Sequence, residues 1–447
     1  MSGKHTIHTT ENDNTTIHAI LVGLQTREED ERFERSLMEL AGLCEACMIE
    51  PVSVITQRAE HPDHATYIGS GKVQEVKGEL YAQDASLVIF DCSLSPIQVR
   101  NLGRTLDAEV IDRTDLILRI FSERARTKEA RLQVEYARLD YLMPRLVGMR
   151  ENLSRQGGAS GFMSARGVGE TKLELDRRKI LNRQAQLRRE LKDVERVQET
   201  QRESRASSGL YRIGLVGYTN AGKSTLLNAL LAMSSKDTSD AAKQVYAEDM
   251  LFATLDTTVR KVAIKGREPF LLSDTVGFIR NLPASLIKAF RSTLKEAAEA
   301  DLLLEVIDVT DEDHVSQSET THLTLEEIGA GTIPRIRVLN KAEESASPGN
   351  RPGTVKRAGG TRTHDEVCIS AKTGDGIAAL LDLIEETLHG EMEEYTFLVP
   401  YRDGQTAARI MKSMEILSRE HTEEGTLLHV RCGRKKAQTY MSFLECP

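Results

Sequence analysis

Short apolar runs separated by longer amphipathic stretches set the rhythm of the chain. Residues 19–24, 52–56, 87–91 and 109–112 read as strands with helix-like stretches between them, which predicts a small α/β sheet. Apolar runs recur at residues 213–216, 269–272, 302–309, 336–339 and 367–369, each followed by polar or helical sequence, as in a second, parallel sheet. Between the two lies a different period. Leu118, Ala125, Leu132, Leu139 and Leu146 recur every seven residues, and so do Leu173, Ile180, Leu187 and Val194. Each series predicts a helix with one apolar seam, and two such helices bury their seams most economically as an antiparallel hairpin. Thr171-Lys172-Leu173-Glu174 has the form of a capping box, which starts the second helix there. Glycine and arginine crowd residues 147–170, a composition that builds no core and predicts a long loop at the hairpin tip.

Beyond residue 388 the pattern changes again, with a strand at 395–399, an amphipathic helix at 406–418 and a strand at 426–431, a small α+β tail. Residues 1–16 are polar and predict a disordered tail. The expected organisation is a tail (1–16), an α/β subdomain (17–115), a basic helical hairpin (116–206), a phosphate-loop domain (207–390) and an α+β domain (391–447). The fold class is therefore α/β: a P-loop domain, preceded by a small α/β domain with a long antiparallel helical hairpin and followed by a small α+β domain.

Chemistry is concentrated after the second sheet begins. Gly217-Tyr218-Thr219-Asn220-Ala221-Gly222-Lys223-Ser224 stands between the strand at 213–216 and a helix that opens with Thr225. Such a loop turns backbone N–H groups inward at a helix N-terminus and adds a lysine that reaches terminal phosphates, so it predicts a nucleoside triphosphate site. Read structurally, the same glycines mark a tight turn before a helix. Roughly fifty residues later, Asp274-Thr275-Val276-Gly277 fits the D-x-x-G of a GTPase switch. Asp274 would hold Mg²⁺ through water, and the N–H of Gly277 would meet the γ-phosphate. Ser224 completes the metal set with Thr254, chosen over Thr257 and Thr258. The expected catalytic residues are Lys223, Asp274, Gly277 and Thr254. Asn340-Lys341-Ala342-Glu343 resembles the guanine-reading N-K-x-D with glutamate in place of aspartate, and Ser370-Ala371-Lys372 would back the base. Where many such enzymes carry a glutamine that orients water, this chain has Phe278. Slow intrinsic hydrolysis completed by a partner follows, against the plainer reading that Phe278 packs under the switch. Asn220 resembles the asparagine that coordinates potassium in cation-dependent GTPases, which adds K⁺ as a candidate ion.

The formal charge is −9, yet residues 119–205 hold 21 basic and 13 acidic side chains, a local +8 that leaves −17 elsewhere. A basic arm on an acidic protein suits phosphate contacts, although a solvated helix face has the same composition. Aromatic residues make up 4% of the chain, which disfavours stacking on single strands and favours a folded RNA surface. Arg150, Arg155, Gly157, Gly158, Arg166 and Gly169 are the expected RNA contacts. Six cysteines include one C-x-x-C, Cys44 and Cys47, with no second pair to complete a zinc set, so reduced thiols are expected. Tyr67-Ile68-Gly69-Ser70-Gly71-Lys72 is an incomplete phosphate loop or a plain helix-start turn. No leader or membrane-length apolar run is evident, and a cytoplasmic location is expected.

The runs Y-I-G-S-G-K-V-Q-E-V, D-R-T-D-L-I-L-R-I-F-S-E-R-A-R-T-K-E-A-R-L-Q-V-E, P-R-L-V-G-M, L-S-R-Q-G-G, G-E-T-K-L-E-L-D-R-R-K-I, G-Y-T-N-A-G-K-S-T-L-L-N and F-A-T-L-D resemble the HflX family of ribosome-associated GTPases over residues 19–431. The resemblance implies GTP-dependent binding to the large ribosomal subunit and its RNA, with the glycine-rich loop directed toward the peptidyl-transferase region. It also implies separation of stalled ribosomes under stress, with hydrolysis stimulated by the intact ribosome, and a protein expected to be monomeric off the ribosome. Glu343, the lack of a proline after Leu255-Asp256, extra residues around 159–165 and polar insertions at 234–243 and 344–363 depart from the family pattern. A non-catalytic, nucleotide-dependent RNA-binding switch in ribosome assembly is the alternative. An RNA-processing enzyme would need a nucleophile or cofactor set that the sequence does not offer.

Overall fold

The computed structural model describes residues 17–26, 29–155, 163–206, 209–234, 252, 258–283, 286, 290–345, 348–359, 364–389, 392–433, 437 and 440–444. The chain divides into two compact units, residues 1–189 with 282–289, and residues 190–281 with 290–447. The tail expected at residues 1–16 lies outside the described residues.

In the first unit, β1 (Ile17–Gln25), β2 (Ile49–Arg58), β3 (Leu87–Phe90) and β4 (Glu109–Asp112) form a parallel sheet in the order β2-β1-β3-β4. Helices α1 (Asp30–Ala46), α2 (Ser70–Ala82) and α3 (Pro96–Leu106) make the crossovers that parallel pairing requires. One sheet face carries Ile20, Val22, Val88 and Phe90, buried against Val73, Val76 and Leu80 of α2 and Leu102 of α3. Residues 67–72 form a helix start: Gly69 caps α2, and its N–H donates to Oε1 of Gln57. Ser95 opens α3 with a complete capping box closed by Gln98.

At the end of β4, Asp112 is wholly buried and heavily used. Its carboxylate accepts from the backbone of Asp115 at 2.9 Å and Leu94 at 3.0 Å, from the Tyr141 hydroxyl at 2.9 Å and from Arg145 at 2.8 Å. These bonds fasten the middle of the first hairpin helix, at Tyr141 and Arg145, to the sheet edge.

The hairpin differs from its sequence reading in three ways. The first heptad series breaks into α4 (Arg113–Arg124) and α5 (Lys128–Arg155), because Ala125 turns extended and the Thr127 hydroxyl accepts from the N–H of Ala130 to begin a new helix. α6 (Met163–Ala206) begins well before the supposed capping box, so Thr171 is inside it. The predicted loop at 147–170 is therefore mostly helix. Glycine costs about 1 kcal/mol in a helix interior, which neighbouring arginine, glutamate and leucine residues can offset, and antiparallel helices need a link of only about 2–8 residues. The seam itself forms as expected: Leu132 and Leu187 are buried and Ile180 and Val194 are half-buried. Arg183 forks onto the Glu135 carboxylate at 2.6 and 2.7 Å, joining the two helices.

The second unit is built on a seven-stranded sheet, β10-β11-β9-β8-β5-β7-β6. β5 (Tyr211–Gly217), β7 (Phe270–Asp274), β8 (Leu302–Asp308), β9 (Arg335–Asn340) and β11 (Asp365–Cys368) are parallel, while β6 (Thr258–Val262) and β10 (Val355–Lys356) pair antiparallel at the two edges. α7 (Lys223–Met233), α8 (Arg291–Ala298), α9 (His314–Glu327) and α10 (Ile377–His389) accompany it. Leu215, Leu272, Leu304 and Val338 meet Leu226, Leu230, Leu380 and Ile384 in one core. The last turns of α6 are ion-paired to α8, through Arg202 with Glu296 at 3.1 Å and Glu199 with Lys295 at 3.0 Å.

The tail is a three-stranded antiparallel sheet, β12 (Met392–Pro400), β14 (Gly425–Gly433) and β13 (Glu415–His421), with α11 (Gly404–Ser413) on one face. The helix expected at 406–418 stops at Ser413, and Glu415 onward is strand. Cys44, Cys47, Cys92, Cys368 and Cys432 are free thiols, and burial pushes the first three up to about 12. Among the described residues no helix is long and apolar enough to cross a membrane.

Candidate functional site

Four loops meet at the carboxyl ends of β5, β7, β9 and β11, the edge where open parallel sheets bind ligands. The first runs from Gly217, the last residue of β5, through Tyr218, Thr219, Asn220 and Ala221 to Gly222, which caps α7. Lys223, Ser224 and Thr225 form the first turn of that helix, as the strand, loop and helix pattern required. Lys223 is buried, and its ammonium donates to the carbonyls of Gly217 at 3.1 Å and Tyr218 at 2.6 Å. Burial pulls this lysine down to about 8, a shift that the nearby Asp274 carboxylate only partly opposes.

Asp274 ends β7 with no exposure, and its carboxylate accepts from the Ser224 hydroxyl at 2.7 Å. A hydroxyl and a carboxylate oxygen this close are the hard donor pair that suits Mg²⁺, whose remaining positions phosphate and water normally fill. Among the described residues no group of three histidine, cysteine or acidic side chains forms a metal cluster. Thr258, a rival for the switch threonine, is fixed in β6 opposite Asp274. Thr254 and Thr257 lie outside the described residues. Thr275 is buried and donates its hydroxyl to the Leu215 carbonyl at 2.6 Å, which pins the start of the switch to β5.

The base-side loops are held by one amide. Asn340 donates through Nδ2 to the Ala221 carbonyl at 2.9 Å and accepts through Oδ1 from the Ala371 N–H, also at 2.9 Å. Lys341 adopts a left-handed conformation and pairs with Asp308 at 2.7 Å. Ser370 is buried and its hydroxyl accepts from the N–H of Thr373, while Lys372 and Glu343 are exposed. Phe278 is buried, and its backbone pairs with the phosphate loop at Gly217 and Thr219.

The structure thus gathers Gly217 to Thr225, Asp274, Gly277, Asn340, Lys341, Glu343, Ser370, Ala371 and Lys372 at one edge. Sequence reasoning missed Asp308, which fixes Lys341. Asp308 was findable as the polar last residue of a buried strand, where a carboxyl-edge side chain faces the ligand loops. Arg150 and Arg155 fall in the last turns of α5, and Arg166 and Gly169 in the first turns of α6; Gly157 and Gly158 lie outside the described residues.

Four family descriptions match the chain in order: GTP-binding GTPase N-terminal (residues 34–122), GTP-binding GTPase Middle Region (124–205), 50S ribosome-binding GTPase (212–341) and HflX C-terminal domain (354–441). The chain is 41% identical over 409 residues to GTPase HflX of Alkalihalophilus pseudofirmus, covering 91% of each protein. It is 40% identical over 418 residues to GTPase HflX of Escherichia coli K12, covering 92% of this chain and 93% of that one. A crystal structure of a GTP-binding protein from the hyperthermophilic archaeon Sulfolobus solfataricus in complex with GDP is similar at 25% identity and a TM-score of 0.41, over 83% of this chain and 98% of that chain. With relatives this similar over nine-tenths of its length and a phosphate loop, switch aspartate and base-side asparagine assembled at one sheet edge, the chain belongs to the HflX family of GTPases.

Proposed function

We propose that this GTPase associates in its GTP-bound form with the large ribosomal subunit and separates stalled ribosomes under stress, the ribosome in turn stimulating hydrolysis. The observation that carries the reading is the long basic hairpin, helices of 28 and 44 residues within a segment of net charge +8. Helices of those lengths extend about 40 and 65 Å, far enough to enter a folded RNA surface. Arg150, Arg155, Gly157, Gly158, Arg166 and Gly169 near its tip are the assigned RNA contacts. The match to a family described as 50S ribosome-binding GTPase supports the same partner.

At the nucleotide, Gly217 to Thr225 cradle the phosphates, Lys223 neutralises their charge, and the Gly277 N–H meets the third phosphate. Ser224, Asp274 and Thr254 would hold Mg²⁺, which spreads charge on the phosphate oxygens when bound, and Asn220 is the assigned K⁺ ligand. Asn340, Lys341, Glu343, Ser370, Ala371 and Lys372 receive guanine. With Phe278 buried and unable to orient water, the ribosome completes the hydrolytic site, a contribution that reaches about 7 kcal/mol when a partner supplies it to related enzymes. The protein acts in the cytoplasm as a monomer when off the ribosome. The deciding experiment sediments the protein with purified subunits and a non-hydrolysable GTP or ATP analogue, and measures phosphate release with and without ribosomes. Cosedimentation with the large subunit and ribosome-stimulated release are expected; equal turnover alone and with ribosomes would reject the reading.

A further inference from the structure

We propose that Tyr218, Arg280 and Asp313 are positioning residues that clasp the segment after Asp274 onto the phosphate loop and thereby weaken GTP binding relative to GDP. The proposal rests on the GTPase site alone, independently of any ribosome role. Four contacts make the clasp. The Phe278 N–H donates to the Gly217 carbonyl at 3.1 Å, and the Thr219 N–H donates to the Phe278 carbonyl at 2.9 Å. The Arg280 N–H donates to the Tyr218 hydroxyl at 2.8 Å. The Arg280 guanidinium pairs with Asp313, the residue that caps α9, and both side chains are buried. Phe278 and Ile279 are sunk into the interior between these ties.

The clasp occupies what a third phosphate needs. Gly277 comes so close that a Cβ there would lie 2.9 Å from the Lys223 ammonium and 2.9 Å from Cα of Thr219. The Thr219 N–H, a loop donor, is engaged by Phe278. A γ-phosphate that takes up the Gly277 N–H must enter between Gly277 and the phosphate loop it is packed on, and so part the two segments, whereas a diphosphate ends short of them. A ligand pays for opening a closed state only if it requires the open one, so the clasp weakens GTP and leaves GDP unchanged. The phosphate cradle itself uses backbone N–H groups and makes no call on a phenol at position 218. The Tyr218 hydroxyl serves the clasp instead, and Phe278 becomes its buried anchor.

The test is equilibrium binding of GDP and of the slowly hydrolysed analogue GTPγS to the full-length protein and to Arg280→Gln and Asp313→Asn, without ribosomes. Loss of one hydrogen bond corresponds to about a fivefold change in an equilibrium constant, so each variant is expected to bind GTPγS about fivefold more tightly with GDP affinity unchanged. Equal changes for both nucleotides, or no change for either, would overturn the proposal. Arg280→Gln keeps the backbone N–H that meets Tyr218 while removing the charge that pairs with Asp313, and it carries the test by itself if Asp313→Asn fails to fold.

Discussion

The depressed Lys223 makes nucleotide affinity depend on pH in a calculable way. Burial holds this lysine at about 8 in the protein without an anion. Phosphate oxygens beside the ammonium restore a value near the ordinary one of about 10.4, so binding above pH 8 takes up a proton. Below about 8 the lysine is charged with or without ligand and affinity is flat. Above it, the free protein has lost a proton that the complex keeps, and affinity falls as pH rises. From about pH 7.5 to about pH 9.0 the protonated fraction of free protein drops roughly eightfold, which weakens GDP binding by the same factor, about 1.2 kcal/mol. Fluorescence titration with a labelled GDP measures it. Lys223→Arg, charged throughout this range, subtracts any ionisation of the guanine ring. Unfolding does not mimic the effect through this group, because the unfolded chain holds more protons between about 8 and about 10.4 and folding stability there rises with pH. A GDP affinity that stays level across the range, in protein that remains folded, would refute a buried lysine as the phosphate partner.

Three further outcomes follow from specific contacts. Gly217 has φ of +139°, and a Cβ there would lie 2.3 Å from the Val306 carbonyl oxygen, so Gly217→Ala should cost at least about 3 kcal/mol in urea unfolding. Asp112→Ala strands Arg145 and three other donors at a fully buried position and should cost about 3–5 kcal/mol, where a loss under about 1 kcal/mol would show the cluster to be incidental. His364 is pushed down to about 4, first by burial and then by Arg335, whose guanidinium meets its ring at 3.1 Å. The unfolded chain therefore binds the extra proton between about 6.5 and about 4, stability falls as pH falls through that window, and His364→Gln should flatten the melting temperature there.

Both sheets were legible because their interior strands are covered on two faces and read as near-continuous apolar runs, as at Ile213 to Val216 and Leu302 to Leu304. The edge strands β6, β10 and β13 were not. β13 is exposed along nearly all its length and owes its pairing to β14 and to the turn in which Thr422 bonds Gly425, so its own residues carry no alternation that separates it from a helix. The hairpin shows the opposite failure. Its apolar seam was readable at Leu132 and Leu187, but helix ends depend on local free-energy balances of about 1 kcal/mol, and glycine content alone misplaced both ends of the tip. The break at Ala125 is legible only once Thr127 is recognised as a cap.

The base-side motif separates two tasks that sequence alone merges. Asn340 joins the phosphate loop at Ala221 to the loop at Ala371 with both ends of one amide, and Lys341 is fixed by Asp308. These bonds set the frame of the pocket. None involves residue 343, whose side chain stands exposed beside them. Glu343 in place of the family's aspartate therefore leaves the loops in place, and in the proposed base contact it sets the carboxylate one methylene farther from its backbone. A longer side chain has an extra rotamer to fix before it can accept from guanine, at a cost of a few tenths of a kcal/mol to about 1 kcal/mol. Because that carboxylate stands exposed, water compensates part of what it loses when adenine enters. On the proposed assignment the substitution narrows the margin for guanine, whereas loss of Asn340, which holds the loops, would disturb the frame itself.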